Sequence, residues 1–237
     1  MHKYINADAD KSGESNAAYR SILTARLEME ADVDFARSFA PGKPVWMTEW
    51  GVSAGSMCRA GAALAMADCY LFLLENQDVY ERANWFSVNG TTNSFLIFKE
   101  KRQLQYPLQK TSFASTYEII RSVFENGQLL DGEMVTDQLK TDRGSIDAIS
   151  ARAVNKNGKT IILAVNLTDR PCRFVLKIEG TPFEKALVHE AMAFSNLSEV
   201  VVRDIDERPL TPIEKTDGGI MLPPLSVSRI SGLIPMP

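Results

Sequence analysis

The chain has 237 residues, of which 45% are hydrophobic and 24% are charged, as in an ordinary globular protein. Its formal net charge is −4 at pH 7 and its basic residues are scattered, which gives no reason to expect a nucleic-acid partner. An apolar run of about 18 residues, which a membrane helix needs, is absent from the sequence. None of its three cysteines lies in a CxxC pair or beside a likely metal-binding histidine, so we expect no metal site and no cofactor.

The first half of the sequence alternates between strand patterns and helix patterns. Short apolar segments that are typical of buried parallel strands lie at 1–5, 44–51 and 83–89. Stretches with a helical composition or helical spacing of apolar residues lie at 16–40, 56–75 and 112–125. Residues 90–112 have no clear period and are predicted to form a long loop. This alternation predicts consecutive βα units of a parallel sheet.

The second half of the sequence has strand patterns without the intervening helix patterns of the first half. Short segments rich in β-branched and aromatic residues are separated by turn residues, and no helical pattern lies between them; the segments are 146–154, 160–166, 172–178, 185–194 and 219–230. Asn157-Gly158 between two of them is a strong signal for a two-residue hairpin. We therefore expect an antiparallel β-sandwich over residues 130–237, after a βα region over residues 1–129.

Glu49 is the strongest candidate for chemistry. It lies where the second apolar segment ends, between Trp46 and Trp50. A carboxylate can attack an anomeric carbon, and indole faces can stack on sugar rings, so this grouping suits carbohydrate chemistry. The alternative is a structural glutamate that pairs with a neighbouring arginine or lysine.

The segment Pro44-Val-Trp-Met-Thr-Glu-Trp-Gly51 resembles the seventh-strand nucleophile segment of clan A glycoside hydrolases. That group includes β-agarases, arabinofuranosidases, xylosidases, glucuronidases and many endoglycanases. The resemblance implies a (β/α)8 TIM barrel, of which this chain would hold the last three βα units, followed by a β-sandwich. It also implies a retaining mechanism, with Glu49 as the nucleophile, that cleaves O-glycosidic bonds in a plant or algal polysaccharide or oligosaccharide.

The resemblance, together with the neighbours of the matching residues, suggests five substrate-binding residues. His2 and Tyr4 are similar to a His-x-Tyr at the end of the sixth barrel strand, where a tyrosine can hydrogen-bond the nucleophile. Trp85 is similar to the eighth-strand aromatic residue that forms the floor of the sugar subsite, and Asn89 follows it on the same predicted strand. Trp50 completes the set as the neighbour of Glu49. Each of these residues has a structural alternative, such as a barrel-core position for Trp85.

One departure from the family pattern concerns the general acid/base. In the family this residue is the glutamate of an Asn-Glu pair on the fourth strand, and the present sequence contains no such pair. The resemblance therefore implies an acid/base upstream of Met1 and a chain that is a C-terminal part of a longer protein. If that protein carries an upstream signal peptide, we expect a secreted or periplasmic location.

Two other functions remain open at this stage: a noncatalytic carbohydrate-binding module, and an unrelated α+β protein in which Glu49 is structural. A binding sandwich usually displays coplanar tryptophan or tyrosine side chains, but no such residue follows Tyr117. This distribution favours the glycosidase. The sequence indicates a carbohydrate as the partner, without naming the sugar or the oligomeric state.

Overall fold

The structure is a computed structural model that describes residues 1–7, 21–54, 59–87, 94–98, 108–141, 143–178, 180–214 and 219–235. The chain divides into two compact units, and neither is continuous in sequence. Unit 1 contains Met1–Ser115, Lys140–Ile146 and Asn196–Glu207, and unit 2 contains Thr116–Leu139, Asp147–Ser195 and Arg208–Pro237. Two pieces of the second half of the sequence therefore pack with the first half.

Unit 1 is built around a parallel sheet of three strands in the order β1-β2-β3. The strands are β1 His2–Ala7, β2 Val45–Ala54 and β3 Tyr80–Trp85. Helix α1 (Ala25–Phe39) connects β1 to β2, and helix α2 (Ala60–Glu75) connects β2 to β3. The predicted alternation of parallel strands and helices is confirmed. The predicted strand at 83–89 is displaced, because β3 begins at Tyr80 and ends at Trp85.

The two helices of unit 1 differ in how much of their surface they bury. Helix α1 is amphipathic and buries Ala25, Met29, Val33 and Ala36, which recur every three or four residues. Helix α2 is buried from Ala60 to Leu73 on nearly all sides, as its many alanines allow. None of the helices in the described part of the chain is long and apolar enough to cross a membrane.

A buried ion cluster joins the two helices. Asp68 of α2 has a side chain only 2% exposed, and its Oδ1 lies 3.4 Å from a guanidinium nitrogen of Arg26 on α1. The same guanidinium lies 2.7 Å from Glu75 of α2 and 3.2 Å from Glu30 of α1. Burial disfavours the charged form of Arg26, but Asp68 and Glu75 more than compensate and raise the pKa of the guanidinium above its usual value.

A second, antiparallel sheet in unit 1 lies in a region where the sequence predicted a loop. Its strands are β4 (Leu96–Phe98), β5 (Leu108–Thr111) and β15 (Val202–Asp204), in the order β15-β5-β4. The prediction of an irregular loop over 90–112 was therefore wrong for the described residues of that segment. Two of these strands are only three residues long, and β5 pairs with a segment about ninety residues away, so no local periodicity marks them. Helix α3 (Ser112–Phe124) follows β5, close to its predicted bounds.

Unit 2 consists of most of helix α3, from Thr116 onward, and an antiparallel β-structure. Its large sheet has the order β6-β10-β11-β18-β14-β13-β7, with β16 paired to β14. The strands of this sheet are β6 Gln128–Leu130, β7 Gly132–Glu133, β10 Ile149–Lys156, β11 Lys159–Asn166, β13 Leu176–Ile178, β14 Thr181–Ala193, β16 Thr211–Pro212 and β18 Ser226–Pro235. A smaller sheet of unit 2 pairs β12 (Cys172–Phe174) with β17 (Ile220–Leu222). A separate pair, β8 (Gln138–Thr141) with β9 (Gly144–Asp147), belongs mostly to unit 1, which contains Lys140–Ile146.

The core of unit 2 is shared by its large and small sheets. Phe174 and Leu222 of the small sheet pack in one buried cluster with residues of the large sheet such as Ile149, Ile162 and Ile230. Two sheets that bury a common apolar core form a β-sandwich. Among the described residues of 130–237, every regular element is a strand, which confirms the predicted antiparallel β-structure.

The predicted hairpin at Asn157-Gly158 is confirmed. These two residues join β10 to β11, where Lys156 pairs with Lys159. Their φ angles are 53° and 74°, as a two-residue turn with both central residues in the left-handed region requires.

His189 on β14 gives the stability of unit 2 a pH dependence. Burial lowers the pKa of His189 to about 4 from its ordinary 6.5, and its Nε2 lies 3.1 Å from Ser228 Oγ. Between these two pH values the unfolded chain binds more protons than the folded chain, so the free energy of unfolding rises with pH. We expect the urea midpoint to be constant above about pH 6.5 and to fall as the pH is lowered toward 4. His189→Gln should flatten this part of the profile, and an equal slope in both proteins would contradict the assignment.

Candidate active site

The parallel pairing of β1 and β2 brings three predicted site residues together. His2 is the register partner of Glu49, and Tyr4 is the partner of Gly51. The Tyr4 hydroxyl donates a hydrogen bond to Glu49 Oε2, and His2 Nδ1 lies 3.4 Å from the same oxygen. The Glu49 side chain is 36% exposed, so the carboxylate remains accessible. His2, Tyr4 and Glu49 thus form a compact polar site on the sheet.

The hydrogen bond to Glu49 has a consequence for Tyr4. It is the main cause that raises the pKa of the Tyr4 phenol above 10, because ionisation would remove the proton that Tyr4 donates to the carboxylate. At neutral pH Tyr4 is therefore a hydroxyl donor. Since Tyr4 and His2 both approach Oε2, Glu49 Oε1 is the oxygen that they leave available for chemistry.

The position of Glu49 within its strand differs from the prediction. The sequence placed it at the end of a strand, but β2 continues for five residues beyond it, to Ala54. Glu49 lies on the central strand of the sheet, at the point where the pairing of this strand with its two neighbours changes. Strand β1 begins to pair at Glu49, and the pairing of β3 with β2 ends at Trp50, after a register shift that follows Met47.

Trp50 does not face the site. Its side chain is fully buried, and its ring packs at 5.0 Å from Tyr70 of α2 and at 4.8 Å from Trp85. Consecutive residues of a strand point to opposite faces, so an indole next to an accessible carboxylate is directed away from it. The prediction that Trp50 contacts the substrate is corrected on this ground: Trp50 belongs to the core in this structure.

Phe86 is an exposed aromatic residue that lies against Tyr4 and that the sequence pattern did not predict at the site. Its ring is 39% exposed and meets Tyr4 edge-to-face at 6.0 Å between centroids. Its backbone N–H donates to the Trp50 carbonyl at 2.8 Å, which fixes it beside β2. Trp85, one residue earlier, is half-buried and packs at 6.0 Å from Phe95 and 5.1 Å from Phe113. In the sequence, alternation along the predicted strand 83–89 was a signal that Trp85 and Phe86 face different sides. In the structure Phe86 directly follows the last residue of β3.

The remaining predictions concern Trp46, Asn89 and metals. Trp46 is exposed on β2, where its indole N–H donates to Glu81 at 2.7 Å and the Arg82 guanidinium lies 4.8 Å from its ring. It lies three residues before Glu49, roughly 10 Å along the strand. Asn89 lies outside the described residues. Within the described part of the chain, no cluster of three or more acidic, histidine or cysteine side chains is arranged to hold a metal ion.

Solved structures with a similar fold are glycoside hydrolases. A family 51 arabinofuranosidase from Xanthomonas axonopodis pv. citri matches with a TM-score of 0.72 and 15% identity, over 99% of this chain and 52% of that chain. A family 51 α-L-arabinofuranosidase from Bifidobacterium longum matches with a TM-score of 0.70 and 15% identity, over 97% of this chain and 52% of that chain. A family 86 β-porphyranase from Bacteroides plebeius matches with a TM-score of 0.56 and 11% identity, over 98% of this chain and 40% of that chain.

These similarities concern fold. No family model and no curated protein matches the sequence. The chain spans about half the length of the family 51 structures that it matches and less of the porphyranase, and the matches cover the C-terminal part of those chains. The fold is therefore similar to the C-terminal part of clan A glycoside hydrolases, the group that the Thr-Glu-Trp-Gly segment resembles.

Proposed function

We propose that this chain supplies the nucleophile of a retaining glycoside hydrolase that cleaves O-glycosidic bonds in a plant or algal polysaccharide or oligosaccharide. The observation that carries the proposal is the accessible Glu49 carboxylate, held by Tyr4 and His2 on the central strand of a parallel sheet. The fold of glycoside hydrolases extends over nearly the whole chain, which supports it.

The proposed reaction has two steps. Glu49 Oε1 attacks the anomeric carbon and forms a glycosyl ester, while the bond to the leaving oxygen breaks and a general acid protonates that oxygen. Water then attacks the same carbon, and the general acid, now a base, takes the proton from the water as the Glu49 carboxylate is released. Tyr4 holds Glu49 through Oε2 in both steps. Phe86 offers an apolar face to the sugar ring beside the carboxylate.

The proposal requires a second carboxyl group about 5 to 5.5 Å from Glu49. The contacts of Glu49 in the described residues are with Tyr4 and His2, neither of which is a carboxylic acid. We propose that the acid/base is the Asn-Glu glutamate of the family pattern, supplied by polypeptide outside these 237 residues. In the same proposal β1, β2 and β3 are strands six, seven and eight of a (β/α)8 barrel, and residues 130–237 form the accompanying sandwich.

Trapping the covalent intermediate tests the proposal directly. The active protein that contains this chain is incubated with activated 2-deoxy-2-fluoro glycosides, which form the glycosyl ester but release it slowly. We expect peptide mass spectrometry to find the sugar on Glu49 and Glu49→Gln to remain unlabelled. Arabinofuranosides and galactosides are the first probes, since the similar structures include arabinofuranosidases and a porphyranase. If the label is found on another carboxylate, and excess substrate prevents this labelling, the assignment of Glu49 is refuted.

A further inference from the structure

Residues Asn196–Glu207, here called the 196–207 segment, belong to unit 1 although they follow β14 of unit 2 in sequence. The beginning of the segment is held in shape by Asn196. Its side-chain oxygen accepts hydrogen bonds from the Ser198 N–H at 3.0 Å and the Ser198 hydroxyl at 2.6 Å. The segment makes two separate sets of contacts with unit 1.

The first set of contacts is at the N-terminus of α2, the helix that follows the Glu49 strand. The Ala60 N–H donates to the Glu199 carbonyl at 2.8 Å, and the Gly61 N–H donates to the Leu197 carbonyl at 2.9 Å. The first N–H groups of a helix have no partner inside the helix, and the residue before α2, Arg59, provides no side-chain cap. The 196–207 segment therefore supplies two of the missing acceptors.

Side-chain packing reinforces these hydrogen bonds. Leu197 is almost completely buried, and Gly61 approaches it so closely that an added Cβ would lie 3.3 Å from the Leu197 carbonyl oxygen. The Arg59 guanidinium donates to the Ser198 carbonyl at 2.6 Å. The segment is thus fitted against the start of α2 by backbone and side chains together.

The second set of contacts reaches the region that follows β3. Strand β15 of the segment pairs with β5, with Val202 opposite Thr111. The Thr111 N–H donates to the Phe95 carbonyl at 2.9 Å, and the Phe95 N–H donates to the Ser87 carbonyl at 3.1 Å. A continuous series of backbone hydrogen bonds therefore connects β15 to the residue after Phe86.

Both sets of contacts lead to Trp50, the residue that follows Glu49 in sequence. Tyr70 of α2 packs against Trp50, which is the residue next to Glu49. Phe86 donates its backbone N–H to the carbonyl of the same Trp50. The segment is therefore linked to Trp50 through α2 and to the residue after Phe86 through β5. These links do not include a direct contact with the Glu49 carboxylate or with the Phe86 ring.

We propose that the 196–207 segment is a positioning element for Glu49 and Phe86, with Leu197 as its anchoring residue. It fixes the start of α2 and the paired strands β4 and β5, and through them the positions of Trp50 on β2 and of Phe86 after β3. This inference rests on the proposed function of Glu49. Misplacement of reacting groups by about 1 Å can cost about 100-fold in rate, so a loosened segment lowers turnover even when the fold is retained.

The test compares two leucine-to-alanine variants of the active protein that contains this chain. Leu197→Ala removes the anchor, and Leu222→Ala removes a fully buried leucine from the core of unit 2. Both should lower the thermal midpoint. At a temperature well below both midpoints, kcat on an aryl glycoside should fall about 10- to 100-fold in Leu197→Ala. In Leu222→Ala it should change less than about twofold, and Leu197→Met should recover most of the activity lost in Leu197→Ala because it nearly conserves volume.

Hydrogen exchange separates this inference from the proposed function, since it needs no activity. In Leu197→Ala the amides of Ala60 and Gly61 should lose protection, and in Leu222→Ala they should keep it. Lost protection with an unchanged kcat would overturn the positioning role, as would an equal fall of kcat in both variants. If Leu197→Ala does not fold, the same measurements are made on two variants that disturb this contact less, Leu197→Met and Gly61→Ala. If Glu49→Gln remains fully active, the proposed function has failed instead, and the exchange result still stands.

Discussion

Glu49→Gln should lower kcat by on the order of 10³-fold or more, which corresponds to about 4 kcal/mol of barrier height. The amide is nearly the same shape as the carboxylate but cannot form the glycosyl ester. Because the Glu49 side chain is partly exposed, the thermal midpoint should change little. The measurement is single-turnover and steady-state kinetics on aryl glycosides, together with a thermal melt.

The chain offers a matched control for this variant. Glu81 is an exposed glutamate on the neighbouring strand, and it accepts a hydrogen bond from Trp46. Glu81→Gln makes the same chemical change on the same sheet, and we expect less than about a threefold loss of kcat. A loss of only two- or threefold in Glu49→Gln would show that Glu49 is structural, and equal large losses in both variants would show a nonspecific effect of charge.

The second large effect should come from Arg26→Met, which we expect to lower the free energy of unfolding by about 3 to 5 kcal/mol. The substitution leaves Asp68, which is almost fully buried, without the guanidinium that lies 3.4 Å from it, and it takes the same partner from Glu75. Methionine retains much of the apolar length of arginine, so the loss reflects charge more than volume. Urea unfolding at pH 7 measures it.

Arg37→Met on the same helix is the control. Arg37 lies 3.0 Å from Asp78, but their side chains are 52% and 64% exposed. Exposed ion pairs contribute about 0 to 1 kcal/mol, so this variant should be nearly as stable as the parent. If Arg37→Met were as destabilised as Arg26→Met, burial of the cluster would not be the cause.

The sequence predicted the parts of the fold that local pattern determines. The alternation of β1, α1, β2, α2 and β3, the turn at Asn157-Gly158, and the change to antiparallel strands each follow from periodicity or turn chemistry. Strands β4, β5 and β15 could not be predicted in this way. They are short, and the pairing of β5 with β15 joins residues that are distant in sequence, so the stabilising contact leaves no local pattern.

The residues of the candidate site also divide into those that the sequence could identify and those that it could not. Glu49, His2 and Tyr4 were identified from a motif and its spacing, and the parallel register brings them together. Trp50 was assigned by its proximity to Glu49 in sequence, which fails on a strand because neighbours point in opposite directions. Trp85 was assigned by its resemblance to a family position. Trp50 was therefore wrongly placed at the site, and Phe86 was missed beside Trp85. Residue type suggested the chemistry, but only strand geometry distinguishes an accessible ring from a buried one.

The discontinuity of unit 1 has a consequence for biosynthesis. Residues up to Ser115 emerge from the ribosome first, but the unit is complete only when Glu207 has been made, about ninety residues later. At roughly 5 to 20 residues per second this delay is about 5 to 20 s. Throughout that time the first N–H groups of α2 lack the carbonyls of Leu197 and Glu199, and β5 lacks its neighbour β15. Most residues between Ser115 and Asn196 belong to unit 2, so they are synthesised before the 196–207 segment can complete the contacts of unit 1. We expect nascent chains stalled near residue 195 to be cleaved by protease at the start of α2, around residues 59–61, and those stalled well beyond residue 207 to resist.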